Sequence, residues 1–120
     1  MANKREIKKF IRNTCGALAA EMLLARAAFP EIDRKETYEI ITDIATLQTS
    51  ALAKVGVTFD KTPDAFEDLH LYRKDRRRYF RTAFSKLMEE FDNSVLEIVK
   101  KMNAALPENV RQVLKEAAAE

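Results

Sequence analysis

Two glycines and three prolines are all the strong turn punctuation that 120 residues contain. A sheet protein of this size would need a reversal about every 8 to 12 residues. Helices need far fewer, and Ala, Leu, Glu, Lys and Arg, the residues that favour them, are abundant. The chain therefore reads as all-α: a four- or five-helix bundle in a single domain, residues 1–120, long enough to bury about two-thirds of the surface its unfolded form exposes.

Spacing and caps divide the chain. Asn3 with Glu6 three residues on has the form of a capping box, and Ile7, Ile11, Leu18, Met22, Ala25 and Phe29 recur at helical intervals until Pro30. Asp33 with Glu36 repeats the pattern, and Ile40, Ile44, Leu47, Ala51 and Val55 line one face of a second helix that Gly56 ends. Its broad apolar arc makes it the central helix. Residues 56–61 form the one long connection, with Phe59 as its anchor. Thr62-Pro63-Asp64 then reads as an N-cap with proline at the first helical position. From there the apolar spacing runs on to Leu106, which predicts a long helix with a kink or break near residues 71–75 or 92–94, where Ser94 and Glu97 could form another capping box. Pro107 opens a short last helix.

The long helix carries the main anomaly. Six of the nine residues from Arg73 to Arg81 are basic. At about 100° per residue, Arg73 and Arg76 fall on the arc of Phe66, Leu69, Phe80, Phe84, Leu87, Phe91 and Ile98. An unpaired charge on a core face is too costly to keep. On the first helix Glu21 lies among Phe10, Thr14, Ala17, Leu18, Leu24 and Ala28, so Glu21 with Arg76 or Arg73 is the expected buried ion pair or the lining of a polar pocket. Tyr72, Tyr79, Met88 and Val99 flank the same arc and widen it beyond the needs of one packing partner, which predicts a homodimer along the long helix.

Charge is segregated although the net value is only +2. Residues 1–12, 31–68, 73–86 and 87–120 carry +4, −5, +6 and −3. A bundle could use that alternation to pair neighbouring helices, and an oligomer to pair subunits. The rival reading is RNA or DNA binding through the run 73–81, with Lys74, Arg77, Arg78 and Arg81 reaching phosphates and Lys4, Arg5, Lys8, Lys9 and Arg12 in support.

Other chemistry thins out. Glu67 and His70 form a Glu-x-x-His element of the kind that supplies two metal ligands in ferritin-like bundles, so a metal-binding bundle is a remote alternative, but one copy makes no site and no metal ligands are assigned. Two glycines 40 residues apart leave no phosphate-cradling loop, and one histidine and one cysteine leave little for nucleophilic work. No catalytic residue and no cofactor is expected. Cys15, alone, suits a reducing compartment and reads as a small buried hydrophobe, which places the protein in the cytoplasm. Apolar stretches are broken by charge well before the ~20 residues a membrane span requires.

The stretches KREIKKFIRNTCGALAAE, residues 4–21, and LYRKDRRRYFRTAF, residues 71–84, resemble those of small uncharacterised bacterial all-helical proteins of unknown function. That resemblance implies a compact helical domain and carries over no site residues. The function expected from these observations is a cytoplasmic helical protein-interaction or homo-oligomeric module.

Overall fold

Helix boundaries follow the local chemistry in most places. The computed structural model describes residues 3–119. Helix α1 spans Lys4–Ala28; the Asn3 side chain accepts from the Glu6 amide at 2.9 Å and the Glu6 carboxylate accepts from the Asn3 amide, a complete capping box. It ends because Phe29 precedes Pro30 and takes a non-helical conformation. Helix α2, Arg34–Val55, is capped by the Asp33 carboxylate on the Lys35 amide; Glu36 does not reciprocate.

The third boundary departs from expectation. Thr62-Pro63-Asp64 starts only one 3₁₀ turn, Pro63–Ala65, and the Thr62 side chain makes no capping bond. Phe66 is extended, with φ −118° and ψ 150°, and packs against Phe59 and Tyr72 at ring-centroid distances of 6.4 and 5.6 Å. That contact is incompatible with helical backbone at Phe66. Helix α3 begins at Leu69, where the Asp68 carboxylate accepts from the Leu71 amide at 2.8 Å, and it runs unbroken to Ala105. Neither 71–75 nor 92–94 interrupts it; Ser94 sits inside the helix instead of capping one. Leu106 is extended before Pro107, and Pro107 opens α4, Glu108–Ala119. Among the described residues the fold is all-α with four α-helices.

Helix α2 lies between α1 and α3 and packs against both, as its broad apolar arc implies. The core is formed by Ile7, Ile11, Cys15, Leu18 and Met22 from α1, Ile40, Ile44, Ala51 and Val55 from α2, and Phe80, Phe84, Leu87, Phe91 and Ile98 from α3, with Ile32 closing the α1–α2 turn. Lys54–Glu90 at 3.2 Å and Lys101–Asp43 at 2.8 Å fix α2 antiparallel to α3. Both pairs are solvent-exposed, so apolar packing carries the interface.

Helices α1 and α3 run in the same direction, since Lys4 reaches Phe80 and Phe10 meets Phe91. Because α3 has 37 residues against 25 in α1, its first turns project about 20 Å past the start of α1. Only the loop after α2 follows them, with Phe59 packed on Phe66, Tyr72 and Tyr79. The molecule measures 66 × 32 × 17 Å and has a radius of gyration of 19.7 Å. A compact chain of this length would have about 14 Å, so the compactness implied by the resemblance is not found.

Candidate functional site

Two neighbouring features sit along α3, one beside the start of α1 and one on the turns that project past it. The first is a groove between α1 and α3. Phe10, 47% exposed, meets Phe91 edge-on at 6.1 Å, and beside that contact a gap remains between the two helices. The space left, about 490 Å³, is lined by Ile7, Phe10, Phe84 and Met88, with Glu6, Arg81 and Ser85 on its rim. Leu24, 69% exposed, lies on the same side of α1 as Phe10, about 40° away. The apolar side of α1 is therefore wider than its covered part.

The second is the arginine run. Beyond the start of α1 no α-helix among the described residues packs on the arc of α3 that elsewhere faces the core, and there the sequence changes from Phe and Leu to arginine. Leu69 on this arc is 49% exposed, not core. Arg73, Arg76 and Arg77 are exposed and, with Tyr72, line a concavity of about 510 Å³. The Arg76 guanidinium lies over the Phe80 ring, 4.9 Å from its centroid, and Lys4 Nζ approaches the same ring at 5.2 Å while donating to the Val57 carbonyl at 2.8 Å. A flat, weakly hydrated guanidinium can cover the end of an apolar core in this way without burying its charge.

The expected buried pair is not formed. Glu21, Arg73 and Arg76 are all exposed, and among the described residues no ion pair joins them. The reason is height along the axis. Counting from the Phe10–Phe91 contact, Glu21 lies 11 residues up α1 and Arg76 lies 15 residues down α3, roughly 40 Å apart at 1.5 Å per residue. Rotation contributes as well: the buried stripe of α1 is centred on Met22 and Ile11, about 80° from Glu21.

Charge alternation is used, though not through the run. Lys101 of α3 pairs with Asp43 of α2, and Lys61 of the loop pairs with Asp75 of α3 at 3.5 Å, while Arg73, Arg76, Arg77, Arg78 and Arg81 have no carboxylate within ion-pair distance among the described residues. Hydrogen bonding to Asp43 raises Lys101 above the usual lysine value. Lys74, Arg77, Arg78 and Arg81 are exposed and fall within about 100° of one another around α3, so they share a face. Of the four residues expected to flank the core arc, Tyr72 and Tyr79 are covered by Phe59 from the same chain, Val99 is half-buried against the core, and Met88 faces the open groove.

The Glu-x-x-His element does not survive folding as a ligand pair. Glu67 precedes α3 and His70 lies inside it, so the two are not on adjacent turns of one helix. No three His, Cys, Asp or Glu side chains come together as a metal group among the described residues. Cys15 is 1% exposed, and burial pushes its thiol above the ordinary value. No helix among the described residues is long and apolar enough to cross a membrane.

Sequence reasoning missed the groove, because a helical wheel assigns an apolar arc to the core without saying how much of it a neighbour covers. The exposed side of α1 that holds Phe10 and Leu24 was the available signal. No family model matches the chain, and no curated protein or solved structure does.

Proposed function

We propose that the protein is a non-catalytic helical interaction module of a reducing, cytoplasmic compartment, whose partner is a second copy of itself seated on the α1–α3 groove. The observation that carries this reading is surface area. The chain exposes 8729 Å², whereas a monomer of its mass is expected to expose roughly 6,600 Å². The excess of roughly 2,100 Å² exceeds the ~800 Å² that each partner buries in a standard interface. The groove is an apolar part of that exposed surface, and its rim of Glu6, Arg81 and Ser85 gives it the apolar centre and polar edge of an association surface. A two-fold arrangement presents the same surface twice, so the Phe10 and Met88 of each copy are covered at once.

Sedimentation equilibrium tests it. At tens of micromolar, a range in which weak specific dimers form, the expected mass is twice 13.8 kDa. Replacing Phe10 with Asp or Met88 with Glu should return the protein to a monomer without unfolding it, since both side chains are partly exposed. A wild-type monomer at that concentration overturns the proposal.

A further inference from the structure

Arg73, Arg76 and Arg77 are neighbours at i, i+3 and i+4, so their like charges repel along the helix. Among the described residues no carboxylate pairs with them: the one in the run, Asp75, pairs with Lys61 on the other side of α3. Three cations held together without a counter-charge, around a concavity, are an arrangement that an anion completes. Two of its side chains are already positioned. The Tyr72 ring is fixed between Phe59 at 5.8 Å and Phe66 at 5.6 Å, and Arg76 is stacked on Phe80. Preorganised donors lose less entropy on binding than free surface arginines would.

We propose that Tyr72, Arg73, Arg76 and Arg77 form a binding site for a phosphate-bearing ligand with at least two negative charges. Arg73 and Arg77, one turn apart, supply forked guanidinium donors to phosphoryl oxygens. Arg76 adds a third charge held by the ring of Phe80, and the Tyr72 hydroxyl donates from the wall. The concavity of about 510 Å³ is wide enough for a pyrophosphate-sized group and open enough for it to be part of a longer chain. Free polyphosphate-type ligands and the backbone of a single-stranded nucleic acid share this chemistry. The site shares no lining residue with the groove proposed as the self-association surface, so separate variants test the two readings.

The experiment is calorimetric titration of the full chain with sodium pyrophosphate at low ionic strength, alongside fluorescence anisotropy with a labelled oligouridylate. Wild type should bind pyrophosphate saturably. Arg73→Gln and Arg77→Gln should each weaken binding about tenfold or more, the loss of one charge-assisted contact. Tyr72→Phe should weaken it about threefold. Arg78→Gln, outside the concavity and about 100° around α3 from Arg77, should change it less than about twofold. Without ligand the Arg73 and Arg77 variants should unfold at the same or slightly higher denaturant, because a repulsion has been removed. Oligouridylate displaced by pyrophosphate identifies a nucleic-acid backbone as the source; pyrophosphate binding alone identifies a small diffusible phosphate ligand. Binding of neither overturns the proposal, and so does an Arg78→Gln loss as large as that of Arg77→Gln, which would mark a diffuse basic surface instead of a site.

Discussion

Gly16 interrupts α1 on its exposed side, and a Cβ built there meets nothing within 4 Å. Its backbone is ordinary right-handed helix. No close helix approach needs it, so its main effect is to loosen the unfolded chain and weaken the helix. Gly16→Ala should stabilise the protein by about 0.5–1 kcal/mol in denaturant unfolding; destabilisation would mean that an unseen partner presses against this side of α1. Its neighbour Cys15 shows how far one position can change a side chain's surroundings. A residue earlier in the helix the chain turns fully inward, and burial keeps that thiol protonated. Between the ordinary thiol value of 9.0 and the raised folded value, the unfolded chain releases its proton first, so stability falls as pH rises through that window.

At the scale of elements, the start of α3 decides the character of the molecule. Two N-cap sequences compete six residues apart. Thr62-Pro63 has the better local form, but continuing helix from it would swing Phe66 away from Phe59 and Tyr72. Aromatic packing wins, because each such contact adds to the area buried, and the cap passes to Asp68. Asp68→Ala removes the acceptor of the Leu71 amide. It should cost about 1 kcal/mol and lower helicity by circular dichroism. The cost should be matched by Asp68→Leu and largely avoided by Asp68→Ser, since Ser can cap where Leu cannot. A silent Asp68→Ala would show that the aromatic cluster alone sets the boundary.

The whole molecule is an elongated layer of helices with one end of α3 unsupported and one side of α1 uncovered. If two copies share the groove, folding and association are linked, and the denaturation midpoint must rise with protein concentration. Raising the concentration a hundredfold is expected to raise the apparent stability by about 2.7 kcal/mol of dimer, from RT ln of that ratio. A midpoint independent of concentration, together with a monomeric mass, would leave the exposed Phe10 and Leu24 for a partner other than this chain.

The sequence by itself determined what short-range physics controls. Sparse punctuation excluded sheet. The capping box of Asn3 and Glu6, the cap at Asp33 and the prolines at 30 and 107 set helix ends to within a residue or two, and the spacing of Phe80, Phe84, Leu87, Phe91 and Ile98 named the core of α3. It also singled out Arg73 and Arg76 as charges on an arc where charge does not belong. Only the tertiary structure decided what that meant. A wheel gives the direction of a side chain around its helix but neither its height beside the next helix nor whether a neighbour is there at all. Because α1 and α3 run parallel and are offset, Glu21 and Arg76 stand at opposite ends, and the arginines lie where the bundle has stopped. Their charges needed no buried partner because the core they point toward ends one turn above them, at Phe80.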